Sequence, residues 1–119
     1  VIDDDPAMLS LMTRTLQATD RYQVVTAATG EDGLQAVLQG LPDLIILDLM
    51  LPGMDGFQVL AQIKSDGRTR TIPIIVITAK DLSALEEGRL KGQMHALLHK
   101  GLFRTEDLLA DIARVLRES

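Results

Sequence analysis

The chain has 119 residues, of which 46% are hydrophobic, and its 12 basic and 17 acidic side chains give a net charge of -5. The length suits one compact domain, while the negative charge argues against nonspecific nucleic-acid binding, which needs a basic face. The chain has no cysteine, no apolar run near the roughly 20 residues of a membrane span and no visible signal peptide. We therefore expect a cytoplasmic domain, whose parent protein can still be membrane-anchored.

Predicted strands and helices alternate along the chain. The strands are predicted at Val1–Ile2, Val24–Val25, Leu44–Leu47, Ile74–Ile77 and Ala96–Leu98. A helix is predicted after each strand, the first capped by Asp5 with Pro6 at its first position and the last capped by Thr105. The helical spacing is carried by Leu9, Met12 and Leu16, by Leu34, Val37 and Leu38, by Phe57, Leu60 and Ile63, more weakly by Leu82–Leu90, and by Leu108, Leu109, Ile112 and Leu116. Five such units predict an α/β domain with a doubly wound parallel sheet and helices on both faces.

The first predicted strand is unusually short. Only Val1 and Ile2 precede the acidic residues 3–5, whereas a strand usually has about 5 or 6 residues. The chain also lacks an initiator Met. We therefore expect residues 1–119 to form one domain with a truncated first strand, taken from a longer protein.

Polar residues stand at the carboxyl ends of the predicted strands, which in open parallel sheets form the rim where ligands bind. Crowded carboxylates raise one another's pKa unless a cation intervenes, and a set of oxygen ligands without His or Cys suits Mg²⁺. In strand order, the residues at this rim are Asp3 and Asp4, Ala28 and Thr29, Asp48, Thr78, and Lys100.

This set of residue types predicts phosphoryl transfer. Asp48 is the natural nucleophile, because carboxylates form aspartyl-phosphates. Lys100 is a compact point charge suited to a phosphoryl oxygen, and Thr78 offers a hydroxyl donor. Mg²⁺ and Lys100 would then stabilise charge on the transferred group.

The sequence resembles a response-regulator receiver domain of two-component signalling over essentially its whole length. The segments that carry the resemblance are VIDDDP (1–6), LIILDLMLPGMDG (44–56) and PIIVITA (73–79). The resemblance implies a flavodoxin-like fold with strand order 2-1-3-4-5, and a phosphoryl group received from a histidine kinase or a histidine-phosphotransfer domain. It further implies Asp48 as phosphoacceptor, Thr78 and Lys100 as phosphoryl contacts, and Mg²⁺ held by Asp3, Asp4, Asp48 and the backbone carbonyl of Met50.

Two positions depart from the family pattern. Gly101 stands where the family usually has a cis proline, and we expect a trans bond there because a non-proline cis bond costs about 2.5–4 kcal/mol. Leu97 stands where the family often has an aromatic switch residue, and we expect no hydrogen bond from it to Thr78 because its side chain has no polar group. The segment 97–112, with Lys-Gly in place of Lys-Pro, resembles receivers of hybrid sensor kinases, so we expect exchange of phosphate with a kinase or phosphotransfer domain and no direct DNA binding.

Two other functions remain open. One is an interaction module that keeps the receiver fold without phosphorylation. The other is an aspartyl-phosphate hydrolase, whose Asp-x-Asp spacing Asp3 and Asp5 would fit, although Asp5 is also a natural helix cap. His95 and His99 have the spacing of zinc helices but flank a strand, and Gly53 and Gly56 are interpreted as turn residues.

Overall fold

The computed structural model describes residues 1–79 and 81–118, so that Ser119, the predicted end of the domain, lies outside the described residues. The described residues form five helices and three strands that alternate from the second helix onward. The helices are α1 (Pro6–Gln17), α2 (Gly30–Gly40), α3 (Gly56–Ser65), α4 (Ala84–Leu90) and α5 (Thr105–Glu118), and the strands are β1 (Ile45–Asp48), β2 (Ile74–Thr78) and β3 (Ala96–His99).

The three strands form a parallel sheet in the order β1-β2-β3. Asp48 pairs with Ile77, the residue before Thr78, and Thr78 pairs with His99, the residue before Lys100. The predicted strands 44–47, 74–77 and 96–98 are thus present to within one residue at each end. This register brings Asp48, Thr78 and Lys100 to the same edge of the sheet.

The first predicted strand is present only as isolated bridges made by Ile2. Ile2 lies between Leu47 and Ala27 and is parallel to both, which continues the sheet in the sense of the order 2-1-3-4-5. The predicted strand at Val24–Val25 is wrong, because those residues form no ladder. Only Val1 and Ile2 are available for pairing with this segment. The Val1 ammonium donates to the carbonyl of Val25 (2.9 Å), and the Val1 carbonyl accepts from the N–H of Ala27 (2.9 Å).

Helices cover both faces of the sheet, as the alternation of strands and helices predicts. Side chains alternate across each strand, so Ile45 and Leu47 enter one core while Ile46 enters the other. The first core is completed by α2, α3 and α4, and the second by Met12 and Leu16 of α1 and by α5. The doubly wound arrangement leaves the carboxyl ends of the strands as the open rim.

Of the two predicted helix caps, Asp5 is confirmed and Thr105 is wrong. Asp5 caps α1, and its side chain accepts from the N–H of Ala7. Pro6 is the first residue of the helix. Thr105, predicted as the cap of the last helix, is instead its first residue. The residue before the helix is Arg104, whose N–H donates to the side chain of Asp107 in the first turn (Oδ2, 3.1 Å).

Within the described residues, no helix combines the length and the apolar character that crossing a bilayer requires.

Candidate functional site

Three carboxylates meet at the carboxyl end of the sheet. Asp3 and Asp4 follow the Ile2 bridge, and Asp48 ends β1. One oxygen from each side chain lies within 4.8 Å of one oxygen from each of the other two. Asp3 and Asp48 are buried, with 3% and 2% of their surfaces exposed, whereas Asp4 is exposed. The site is therefore a buried carboxylate pair with a third carboxylate at its solvent side.

Lys100 links the two buried carboxylates. Its Nζ lies 2.9 Å from Asp3 Oδ2 and 3.1 Å from Asp48 Oδ2, and its side chain is mostly buried. The other oxygen of Asp48, Oδ1, accepts from the N–H of Met50 at 3.0 Å. Asp48 is thus held by one donor on each carboxylate oxygen, which fixes its orientation at the rim.

The charges of this cluster shift one another's pKa. Burial raises the pKa of Asp48 and the charge of Asp3 adds to the rise, while hydrogen bonds from Met50 and Lys100 oppose it, so the pKa stays above its ordinary value. Burial lowers the pKa of Lys100, but its hydrogen bonds to Asp3 and Asp48 outweigh burial and the pKa is raised. Lys100 therefore stays charged and compensates the acidic cluster at the end of the buried strand β1.

Thr78 and Lys100 lie next to each other across the β2–β3 edge. Thr78 is fully buried at the end of β2, and its carbonyl accepts from the N–H of Lys100 at 2.9 Å. The bond between Lys100 and Gly101 is trans, as expected, and Gly101 has a φ of +81° that favours glycine. Leu97 is half-buried and packs against the core on the α4 side of the sheet, so it brings no polar group to Thr78.

The sequence analysis interpreted Asp5 as a helix cap and Gly53 as a turn residue, and their contacts agree. The Asp5 carboxylate accepts from Ala7, and Gly53 has a φ of +71° that suits a turn. His95 Nδ1 accepts from the N–H of Ile74 at 3.4 Å, and His99 belongs to β3. These contacts place both histidines on or beside the strand and not with the carboxylates.

Gly56 has a role that its turn-like context in the sequence did not reveal. It begins α3, and its N–H donates to the carbonyl of Leu49 at 3.0 Å. A Cβ built on Gly56 would lie 2.4 Å from the carbonyl oxygen of Asp48 and 2.4 Å from the Cα of Leu49. A side chain is therefore excluded where α3 touches the backbone of the candidate nucleophile.

The donor set fits Mg²⁺. Asp3, Asp4 and Asp48 offer only oxygen atoms, as this hard cation prefers, and few protein ligands are needed because Mg²⁺ keeps several waters. Across residues 1–79 and 81–118 this is the one group of three or more potential His, Cys, Asp or Glu ligands. The backbone of Met50 is next to the group, because its N–H binds Asp48.

Comparison with known proteins agrees with this geometry. The family model of the response regulator receiver domain matches residues 1–113. Among curated proteins, the response regulator PleD of Caulobacter vibrioides is 43% identical over 93 residues, 74% of this chain but 20% of PleD. The response regulator MprA of Mycolicibacterium vanbaalenii is 34% identical over 119 residues, 100% of this chain and 50% of MprA. The chain thus spans a half or less of these two relatives.

A solved structure shows the same likeness. The receiver domain of the sensor histidine kinase PA1611 from Pseudomonas aeruginosa superposes with a TM-score of 0.86 at 26% identity, covering 98% of this chain and 93% of that one. Its crystal structure has a magnesium ion coordinated in the active site cleft.

Proposed function

This chain belongs to the family of response regulator receiver domains, and from that premise we propose that Asp48 accepts a phosphoryl group from a partner's phosphohistidine in a Mg²⁺-dependent reaction. The observation that carries the proposal is the position of Asp48. Its carboxylate is buried at the end of β1, lies among two other carboxylates and is held by Lys100 at 3.1 Å.

The residues present account for each part of the transfer. An oxygen of Asp48 attacks phosphorus as the bond from phosphorus to the imidazole nitrogen breaks, and the imidazole leaves with the electron pair and takes up a proton. Lys100, 3.1 Å from Asp48, would supply positive charge to a phosphoryl oxygen on Asp48, and the hydroxyl of Thr78, at the same edge of the sheet, would supply a donor. Mg²⁺, when held by Asp3, Asp4, Asp48 and the carbonyl of Met50, supplies charge neutralisation for the transferred group.

The nature of the phosphorylated residue separates this function from its two competitors. The chain is incubated with acetyl phosphate and Mg²⁺, and the modified aspartate is identified by mass spectrometry after trapping the acyl phosphate. We expect a single acid-labile phosphate on Asp48. Phosphate on Asp3 would instead favour the hydrolase, in which the first Asp of the Asp-x-Asp pair is the nucleophile, and no phosphate would favour the unphosphorylated interaction module.

The phosphate donor that we propose is a histidine kinase or a histidine-phosphotransfer domain, with no direct binding of DNA by this domain. The segment 97–112 supports a parent protein of the hybrid-kinase type through its likeness to receivers of such kinases. Ala79, small and exposed beside Thr78, leaves room for a partner's histidine. A transfer assay with a phosphorylated phosphotransfer domain tests this. A chain that takes phosphate from acetyl phosphate but not from the phosphotransfer domain would reject the proposed donor and leave Asp48 as the phosphoacceptor.

Replacing Asp4 with alanine is expected to weaken Mg²⁺ binding by at least about tenfold. Even the loss of a group that only orients a metal ligand typically lowers metal affinity about 10–100-fold. Asp4 is exposed, so its removal should leave the fold intact. The measurement is a Mg²⁺ titration followed by amide chemical shifts.

Asp5→Ala is the matched control for Asp4→Ala. It removes the neighbouring carboxylate, which caps α1 and is not among the clustered oxygens. We expect a loss of about 0.5–2 kcal/mol in the free energy of unfolding with Mg²⁺ affinity nearly unchanged. Equal loss of affinity in both variants would mean that overall charge, and not ligation by Asp4, sets the binding.

A further inference from the structure

The loop from Leu49 to Asp55, which joins Asp48 to α3, is attached to the start of α2 by a side chain. Glu31, in the first turn of α2, accepts from the backbone N–H of Met54 at 3.1 Å. The two residues are 23 positions apart in the sequence, so the contact ties the second βα unit to the loop of the third. The sequence pattern gave no reason to single out Glu31, which is an exposed acidic residue at a helix N-terminus.

The backbones of α2 and the loop also approach closely at this point. A Cβ on Gly30 would lie 2.3 Å from the carbonyl oxygen of Met54, and a Cβ on Gly53 would lie 3.2 Å from Glu31 Oε1. Gly53 has a φ of +71°, in the left-handed region. The loop therefore turns at a glycine directly against the Glu31 carboxylate.

Two features restrict the part of the loop between this contact and the carboxylate cluster. Pro52 has a φ fixed by its ring, and Leu51 is buried in the core. At the other end, the N–H of Met50 binds Asp48 Oδ1 at 3.0 Å. The loop that supplies the Met50 carbonyl is therefore held at both ends, by Asp48 at Met50 and by Glu31 at Met54.

We propose that Glu31 is a positioning residue for the magnesium site, which it serves by fixing the loop that carries the Met50 carbonyl. The inference rests on the proposed function, since it assumes that this carbonyl is a ligand. Glu31 is not part of the carboxylate cluster found among the described residues, and the hydrogen bond through which we expect it to act comes from the Met54 N–H. Its loss should lower Mg²⁺ affinity while the phosphorylation rate at saturating Mg²⁺ is retained.

The test compares Glu31→Ala with two matched variants in the whole chain. Glu31→Gln keeps an oxygen that can accept from Met54, and Asp32→Ala removes the same charge from the next position of the first turn of α2. Mg²⁺ is titrated while the amide shifts of Met50 and Asp4 are followed, and the exchange rate of the Met54 amide is measured without Mg²⁺. Phosphorylation by acetyl phosphate is then measured over a range of Mg²⁺ concentrations.

We expect Glu31→Ala to weaken Mg²⁺ binding by about tenfold, the lower end for groups that orient a metal ligand, and to speed exchange at Met54. In Glu31→Gln and Asp32→Ala, the Mg²⁺ affinity and the exchange rate of the Met54 amide should stay close to those of the unaltered chain. Unchanged Mg²⁺ affinity in Glu31→Ala, or equal losses in all three variants, would overturn the inference and leave the proposed function standing. If the unaltered chain bound no Mg²⁺, the proposed function would fail first, and the inference with it.

Discussion

Replacing Asp48 with asparagine is expected to reduce phosphate uptake from acetyl phosphate to the level of a blank. The amide lacks the nucleophilic carboxylate oxygen that forms the acyl phosphate. The variant should fold, because its amide oxygen can still accept from Met50 and Lys100 keeps its ion pair with Asp3 at 2.9 Å. Intact-mass measurement after incubation with acetyl phosphate and Mg²⁺ reads the result directly.

Asp43→Asn is the matched control for this experiment. Asp43 is an exposed aspartate that precedes the same strand at its opposite end. The Asp43→Asn substitution makes the same chemical change as Asp48→Asn and should leave phosphate uptake unaltered. Full labelling of Asp48→Asn would show that another carboxylate is the phosphoacceptor.

Replacing Gly56 with alanine is expected to lower the free energy of unfolding by about 1–3 kcal/mol, the usual cost of overpacking. The new Cβ would meet the carbonyl oxygen of Asp48 and the Cα of Leu49, both at 2.4 Å. These are backbone atoms that cannot rotate away, so α3 or the end of β1 must move. Thermal unfolding measures the effect, with a shift in Tm of about 4 °C for each kcal/mol.

Gly88→Ala provides the contrast, because Gly88 lies inside α4 and has no atom within 4 Å of an added Cβ. The Gly88→Ala substitution should raise the free energy of unfolding by about 0.5–1 kcal/mol, because it removes a flexible glycine from the helix. The two substitutions are chemically identical and should shift Tm in opposite directions. A neutral Gly56→Ala would mean that α3 can move away from β1 at no cost.

The sequence was sufficient to predict the β units from Leu44 onward and the residues at their ends. Strands such as 74–77 are continuous apolar runs, and their register follows once the sheet is parallel, so Asp48, Thr78 and Lys100 had to share an edge. The helical cap at Asp5 also follows a local rule, because a short polar side chain satisfies a free N–H group of the first turn.

What the sequence could not provide depends on contacts between distant segments. Val24 and Val25 have strand-like side chains, yet they lack enough of a partner to form a ladder. The Glu31–Met54 hydrogen bond and the approach of Gly56 to Asp48 depend on how α2 and α3 seat against one loop. Likewise, the sequence suggested Lys100 as a contact for phosphate, and only the fold shows it already bridging Asp3 and Asp48.

The two ion pairs of Lys100 also constrain how the site can form during folding. They join residues near the beginning, the middle and the end of the chain, so neither can exist until long loops have been closed. Contacts of such large sequence separation are typical of slowly folding topologies. Any partly folded form in which β3 is not yet paired with β2 has Asp3 and Asp48 without their lysine. Assembly of the charged cluster therefore reports on completion of the whole sheet, and a partly folded chain lacks the arrangement needed to accept a phosphoryl group.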